Sequence, residues 1–318
     1  MKSVNEFIND KNYKKRSAQA KLELLIYGVV DAPELFSKYE NEFKEEHYAF
    51  NNGNWGVDKR RLTPTEILLP GGIVSKLHIR PDSPLRLIEN DHALILCKGR
   101  EELSEFRFLP RPNFWKKTMQ DGDDPKRYAQ MYGLNCLNFN IYSGCEFQNV
   151  GKGCKFCSVK ATVDKENPIH IKKAPEKLAE ICRMATESDS LKHILITGGS
   201  YIDSDYEFEM HIETLKAIRY NLPWHGRING NVSMMPPKNM DRLKELYDCG
   251  VEYPSFNLEV WPYSAFCYYC PGKEKYVGFD HVINSLKKLS NSSTFFFVSL
   301  IAPFAVLAIF LLSNKSFN

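Results

Sequence analysis

The feature that most constrains the fold is an alternation of strand-like and helical segments that begins near residue 137. Four segments favour strands, and they are LNFNIYSG, KHILITGGS, WHGRINGNVS and YPSFNLEVW. Four segments have helical patterns, and they are APEKLAEICRMATES, YEFEMHIETLKAIRYN, MDRLKELYDCG and FDHVINSLKKL. This order predicts βαβ units with parallel strands. Right-handed crossovers place the carboxyl ends of such strands on one face, where loops build a site.

The repeating segment is too short for eight βα units. We therefore predict an α/β fold over residues 131–293, either a partial (βα) TIM-type barrel or an open sheet. Residues 1–130 contain several short strand patterns broken by turns, in TEILLPGGIVSKLHIRPDSPLRLIENDHALILCKG, and one helix-favouring run, PELFSKYENEFKEEHYAF. The run LELLIYGVV fits a strand or a buried helix equally well. We predict that the barrel is preceded by a smaller α+β domain that ends near the polar junction RPNFWKKTMQDGDDPKRY.

The tail, residues 294–318, has a different character. Residues 295–312 read FFFVSLIAPFAVLAIFLL and carry no charge. At about 1.5 Å per residue, a helix of this length nearly spans a hydrocarbon core of roughly 30 Å. Three interpretations stay open: a buried strand followed by a buried helix with Pro303 at the break, a membrane anchor, or a truncated or altered sequence.

Composition and charge exclude some classes of protein. The chain has 42 basic and 39 acidic residues, a net charge of +3, which gives no sign of a nucleic-acid-binding surface. The opening MKSVNEFINDKNYKKRSAQAK lacks an apolar run, so we predict no secretory signal and a cytoplasmic location, with membrane association only through the tail. Nine cysteines in such a chain indicate thiol, metal or redox chemistry rather than structural disulfides.

Three of the cysteines form the strongest motif. The segment SGCEFQNVGKGCKFCSV places Cys145, Cys154 and Cys157 after the first strand with the spacing C-x8-C-x2-C. Soft thiolates select zinc or iron–sulfur clusters. A structural zinc site needs a closed fourth position, whereas three ligands leave one position open for reaction.

This loop resembles the cluster loop of the radical S-adenosylmethionine (radical SAM) superfamily, usually C-x3-C-x2-C with an aromatic residue before the last cysteine. Phe156 matches that aromatic residue, while the first spacer is longer than usual. The resemblance implies that Cys145, Cys154 and Cys157 hold a 4Fe–4S cluster and that the open iron binds S-adenosylmethionine. It further implies reductive cleavage to a 5′-deoxyadenosyl radical, hydrogen abstraction from an unidentified substrate, and an electron donor such as ferredoxin or flavodoxin.

Over residues 137–290 the resemblance extends to the cofactor contacts. Gly198, Gly199 and Ser200 follow the second strand, where family members carry a Gly-Gly-Glu-like turn that meets the methionine amino group. Ser200 replaces the usual acidic residue. The family's fifth strand usually supplies a glycine near adenine, and TFFFVSLIAPF has none, so either adenine is held differently or the barrel is incomplete.

The third and fourth strands carry polar pairs. FNLEVW resembles the strand in biotin-synthase-type and lipoyl-synthase-type enzymes whose Asn and acidic residue contact ribose, which here implies Asn257 and Glu259. Residues two apart on a strand share a face, so the pair is expected to point inward together. Asn229 and Asn231 share a face in the same way.

A second C-x2-C pair, Cys267 and Cys270, leaves alternatives open. The pair fits ordinary buried thiols, a redox pair, part of an auxiliary cluster, or a zinc site shared with Cys154 and Cys157, although that zinc site leaves Cys145 unexplained. The alternative function is accordingly a non-catalytic zinc- or iron–sulfur-stabilised binding or regulatory protein, either soluble or tail-anchored. A degenerate paralogue without a working adenine pocket is a third. No catalytic side chain and no substrate can be assigned from the sequence.

Overall fold

The computed structural model describes residues 7–9, 14–44, 63–91, 93–157, 159, 172–292, 297–302 and 305–310. The fold is mixed α/β with two sheets, and the chain divides into two compact units, Met1–Pro112 and Asn113–Asn318. Each unit has its own buried apolar cluster.

Within its described residues, the first unit contains an antiparallel sheet preceded in the chain by helices. Among these helices are α1, Lys14–Tyr27, and α2, Pro33–Lys38. The strands are β1, Glu66–Leu69; β2, Ile73–Lys76; β3, Leu85–Glu89; β4, Leu94–Lys98; and β5, Glu101–Phe108. They are ordered β2-β1-β5-β4-β3. The ambiguous run LELLIYGVV belongs mainly to α1, and the predicted helix at PELFSK ends at Lys38.

The second unit contains a seven-stranded sheet with the order β12-β11-β10-β9-β8-β7-β6. Its strands are β6, Gln130–Tyr132; β7, Cys136–Asn140; β8, His193–Thr197; β9, Ile228–Ser233; β10, Val251–Ser255; β11, Phe297–Ala302; and β12, Ala305–Phe310. Strands β7 to β11 are parallel, while β6 and β12 are antiparallel edges. The parallel arrangement predicted from the alternating segments is confirmed.

Within the described residues of the second unit, four helices lie where they were predicted, and they are α4, Pro175–Ser188; α5, Ser204–Ile218; α6, Lys244–Asp248; and α9, Phe279–Ser292. Three further helices were not predicted, and they are α3, Glu146–Asn149; α7, Tyr263–Tyr269; and α8, Pro271–Tyr276. In α4 the buried residues Leu178, Ile181, Cys182 and Ala185 recur at helical spacing, which gives the helix one apolar face toward the core. Gly250, predicted to end the helix at MDRLKELYDCG, adopts a φ of 82° just after α6.

The two faces of the parallel strands differ in polarity. Ile194 and Ile196 of β8 and Val232 of β9 belong to the core that includes the helices. The alternate positions project to the opposite face. Cross-strand register places Asn138 beside Leu195, and Leu195 beside Asn231. The sheet therefore has a helix-covered apolar face and a second face rich in Asn, Thr and Ser.

The two compact units divide after Pro112, at the start of the predicted junction segment RPNFWKKTMQDGDDPKRY. The polar stretch after Pro112 is fastened to α4, because the backbone N–H groups of Asn113 and Phe114 donate to the Asp189 carboxylate at 2.8 and 3.0 Å. The N–H of Gln120 donates to Glu180 at 2.7 Å. These hydrogen bonds tie most of the junction segment to the second unit.

The apolar tail contributes two strands. Strand β11 pairs in parallel with β10, and β12 returns antiparallel to β11. The strand named by the first of the three interpretations is present, but Ala305–Phe310 is a second strand rather than the helix that this interpretation placed after Pro303. Within the part of the chain that the structure describes, no helix is both long enough and apolar enough to cross a membrane.

Candidate functional site

The cysteine loop begins at the carboxyl edge of the parallel sheet. Strand β7 ends at Asn140, and Cys145 is the residue that immediately precedes the short helix α3. Cys154 and Cys157 follow after a turn at Gly151, which has a φ of 69°. Cys145 and Cys154 are half-buried, whereas Cys157 is exposed. The loop therefore presents its thiols where parallel α/β folds place their ligands.

The loop is tied to the glycine turn that follows β8. The N–H of Gly199 donates to the carbonyl of Tyr142 at 2.8 Å, and the N–H of Glu146 donates to the carbonyl of Ser200 at 2.8 Å. The Glu146 carboxylate in turn accepts a hydrogen bond from the N–H of Ile202 at 2.7 Å. These bonds hold the turn against the start of the cysteine loop.

Gly199 is required by this close approach. A Cβ atom at position 199 would lie 1.6 Å from the carbonyl oxygen of Gly144 and 3.0 Å from the Cβ of Cys145. The sequence predicted a glycine pair that allows the backbone to approach a ligand. The structure gives Gly199 a different neighbour, the backbone of the cysteine loop itself.

The thiols of the three cysteines interact electrostatically. Although Cys157 is exposed as a residue, burial of its thiol within the loop raises its pKa, and the nearby Cys154 and Cys145 raise it further. A hydrogen bond from the Cys270 thiol, with the nearby Lys273 ammonium, lowers the pKa of Cys154. The three predicted ligands thus lie in one electrostatic environment, in which Cys154 has more thiolate character than Cys157.

Among the residues that the structure describes, no three His, Cys, Asp or Glu side chains are grouped closely enough to hold a single metal ion. A single zinc ion requires ligands that converge on one point at about 2.3 Å for each thiolate. The thiolates of an iron–sulfur cluster bind different iron atoms, so they do not converge in that way.

The second C-x2-C segment packs directly against the cysteine loop. The N–H of Lys155 donates to the carbonyl of Tyr269 at 2.9 Å, and a Cβ at Gly272 would lie 2.5 Å from the carbonyl oxygen of Lys152. Cys270 is buried and hydrogen-bonded to Cys154. Cys267, by contrast, hydrogen-bonds the hydroxyl of Tyr263. The segment therefore brings one of its two thiols to the cluster motif.

Lys273 connects several predicted site residues. Its Nζ donates to the Glu259 carboxylate at 2.9 Å and to the carbonyl of Asn257 at 2.8 Å. Lys273 is buried and Glu259 is largely buried, with exposed side-chain fractions of 8% and 14%. Burial alone would lower the pKa of Lys273, but the negative charges of Glu259 and Cys154 outweigh it and raise that pKa.

Asn257 and Glu259 do not lie on a strand, which corrects the reason for pairing them. Strand β10 ends at Ser255, and Glu259 adopts a φ of 70°, so strand alternation does not apply to them. The side chain of Asn257 accepts from Ser255 at 2.8 Å and donates to Ser233 at 2.8 Å. Contact with Lys273, rather than a shared strand face, brings the two residues together.

The remaining predicted residues are less closely associated with the cysteines. Asn229 lies near the start of β9 and donates to the carbonyl of Lys192, which precedes β8. Asn231 lies mid-strand and donates to the carbonyl of Tyr253 at 3.3 Å. Asn229 is thus near the amino edge of the sheet, away from the loop. Phe156 lies in the loop itself and is 43% exposed.

Sequence reasoning missed Glu207, a buried carboxyl group on α5. It accepts hydrogen bonds from the N–H groups of Tyr201 at 3.0 Å and Met235 at 2.7 Å, and thereby links the chain after the glycine turn to the chain after β9. Burial raises its pKa to about 7, although these hydrogen bonds act in the opposite direction. Its place within an ordinary amphipathic helix gave no signal of this role. Lys273 was likewise hidden among other lysines.

His211, one turn after Glu207, predicts a pH dependence of stability. Burial lowers its pKa to about 4 from an ordinary value of 6.5, and its Nδ1 lies 2.8 Å from the Glu207 carbonyl oxygen. The unfolded chain therefore takes up this proton first, so the stabilisation is present above pH 6.5 and is lost as the pH falls toward 4. We expect the free energy of unfolding to fall by about 2 kcal/mol between pH 8 and pH 5 because of this residue.

The measurement is urea unfolding of the natural chain and of His211→Gln at both pH values. The raised pKa of Glu207 has the opposite sign, since its contribution is lost as the pH rises through 7, but both proteins retain it. The difference between their pH slopes therefore isolates His211. Equal slopes in the two proteins would contradict the assignment.

Comparisons with known proteins add little to this geometry. No family model matches the chain, and no curated protein matches it. Among solved structures, the crystal structure of methylornithine synthase (PylB) is similar to this chain with a TM-score of 0.37 and 15% identity, over 59% of this chain and 52% of that one. The chain thus spans about half the length of that protein. At such values the likeness carries no conclusion about chemistry.

Proposed function

We propose that the chain is a radical SAM enzyme in which Cys145, Cys154 and Cys157 hold a 4Fe–4S cluster. The observation that supports this most strongly is the joining of the cysteine loop to the Gly198–Ser200 turn by backbone hydrogen bonds at the carboxyl edge of parallel strands. The spacing of the cysteines and Phe156 resemble the family's loop. We also propose that the second unit is a partial (βα) barrel of the kind that this family uses.

The residues present fit such a group. The three thiols lie in one electrostatic environment, and a buried ammonium, Lys273, offsets negative charge beside Cys154. Once bound, a cluster and S-adenosylmethionine would together supply the one-electron chemistry of a carbon-centred radical that abstracts hydrogen. We further propose that an external electron donor, such as ferredoxin or flavodoxin, supplies the electron.

The chain's own residues orient and enclose the site. Glu146 and Gly199 fix the cysteine loop against the glycine turn, through one hydrogen bond to Ser200 and one to Tyr142. Lys273 hydrogen-bonds both Asn257 and Glu259 and lies near Cys154, which supports a role for those two residues as ribose contacts at the same edge. The polar second face of the sheet gives a bound cofactor or substrate hydrogen-bonding partners.

The alternative zinc site requires Cys267 and Cys270 to lie beside Cys154 and Cys157, and only one of these two cysteines does so. Cys270 does meet Cys154, as that site requires, but Cys267 is bonded to Tyr263 instead. With Cys267 bonded elsewhere, the contact between Cys154 and Cys270 favours a pair of interacting thiols over a zinc ion bound by four thiolates.

The test is anaerobic reconstitution with iron and sulfide, followed by iron analysis and by electron paramagnetic resonance of the reduced protein. Ala variants at Cys145, Cys154 and Cys157 are each expected to lose most of the bound iron, because a cluster missing one of three thiolates is poorly held. In the natural chain, the spectrum of the reduced protein is expected to change when S-adenosylmethionine is added.

Cys97→Ala is the matched control, because Cys97 is a buried thiol in the first unit. It is expected to retain its iron. Equal iron in all four variants, or a spectrum unaffected by S-adenosylmethionine, would rule out the proposed site. Zinc retained in place of iron would favour the structural-metal alternative.

A further inference from the structure

The contact between Cys154 and Cys270 joins two cysteine motifs that are distant in the sequence. The hydrogen bond runs from the thiol of Cys270 to the sulfur of Cys154. Backbone contacts on both sides hold the two segments together, namely the bond from Lys155 to Tyr269 and the close approach of Gly272 to Lys152. The ring of Phe147 also stacks on Tyr276, with centroids 5.6 Å apart and planes at 13°. The two sulfurs are thus held as neighbours by packing.

The two cysteines, Cys154 and Cys270, differ in their exposure to solvent. Cys154 is half-buried, so a small oxidant reaches it from solvent, while Cys270 is fully buried behind it. Cys154 is therefore the sulfur of the pair that an oxidant from solvent reaches first. Cys270 then occupies the place of a resolving thiol, adjacent to the more accessible sulfur of the pair.

We propose that Cys154 and Cys270 form a reversible disulfide when the metal-free protein meets a peroxide. The Cys154 thiolate attacks one oxygen of hydrogen peroxide, the O–O bond breaks, and hydroxide leaves, which yields a sulfenic acid. The sulfur of Cys270 then attacks the Cys154 sulfur, an S–S bond forms, the S–O bond breaks, and water leaves with the Cys270 proton. The two sulfurs together lose two electrons, and the peroxide gains them.

The consequence for metal binding rests on the function proposed above. Because Cys154 is one of the three proposed cluster ligands, the disulfide removes that ligand and blocks cluster assembly until a thiol reductant restores it. The Cys154–Cys270 disulfide itself leaves Cys145 and Cys157 as thiols. The bond thereby protects the half-buried thiol from irreversible oxidation while no cluster is present.

The test uses the full chain, freed of metal and treated with hydrogen peroxide, after which free thiols are alkylated and peptides are mapped by mass spectrometry. The expected result is a cross-linked peptide pair that contains Cys154 and Cys270, a loss of two alkylatable thiols per chain, and full reversal by dithiothreitol. Cys267→Ser is the matched control and is expected to give the same cross-link. Cys270→Ser is expected to lack it.

Two results would overturn the proposal: oxidation of the natural chain without any disulfide, or a cross-link that joins Cys154 to Cys157 or to Cys267 instead. Because the mapping is carried out on the natural chain, it does not depend on the folding of a variant. It also needs no iron. Failure of reconstitution would therefore count against the proposed function alone, and a missing cross-link against the disulfide alone.

Discussion

Gly199→Ala is expected to lower the free energy of unfolding of the second unit by about 3 kcal/mol, at the upper end of the usual cost of overpacking. The reason is that the new Cβ would lie 1.6 Å from the carbonyl oxygen of Gly144, an atom of the backbone that no side-chain rotation can move away. The loop of Cys145 would have to shift as a whole. The hydrogen bonds that join this loop to the glycine turn, from Gly199 to Tyr142 and from Glu146 to Ser200, would be strained or lost.

Thermal unfolding followed by circular dichroism measures this effect. A loss of about 3 kcal/mol corresponds to a fall in Tm of roughly 6–12 °C for a unit of this size. Gly198→Ala is the matched control, because its Cβ would lie 3.0 Å from the carbonyl oxygen of Tyr142 and needs a shift of only a few tenths of an ångström. We expect it to cost about 1 kcal/mol. Equal effects at the two positions would show that the loop does not lie where the structure places it.

The glycine pair also shows how far sequence reasoning reached. A strand followed by two glycines correctly indicated a turn with a close backbone neighbour, since only small residues permit such an approach. The identity of the neighbour depended on where the loop after β7 folds back, and this is set by the parallel pairing of β7 with β8. Local patterns therefore identified the turn, while tertiary structure determined what it contacts.

The same division holds for the rest of the fold. Strands β7, β8 and β9 and helices α4 and α5 were predicted, because their apolar residues recur with clear periods. The end of β10 was not predicted correctly, because Phe256 and Leu258 continue the apolar alternation beyond Ser255, the last residue of the strand. Both residues are buried although they do not lie in a strand. Burial in a loop and burial in a strand leave the same pattern in a sequence.

The pairing of Lys273 with Glu259 predicts the other large effect. Lys273→Met is expected to destabilise the second unit by about 3 kcal/mol, the lower end of the range for a buried ion pair, because it leaves the largely buried Glu259 carboxylate without its partner. It also removes the hydrogen bond to the carbonyl of Asn257, which is 2.8 Å long. Met preserves the apolar stem of the side chain, so the loss reports mainly the charge and its hydrogen bonds. Urea unfolding at pH 7 measures the change.

A double-mutant cycle with Glu259→Gln separates the ion pair from the packing around it. When the carboxylate is replaced by a neutral amide, the further change Lys273→Met no longer leaves a buried charge, so the double variant is expected to be less unstable than the sum of the single variants. A coupling energy of about 2 kcal/mol lies within the range for side chains in direct contact. An additive result would show that the 2.9 Å contact contributes nothing to stability, and that Lys273 acts only through Asn257.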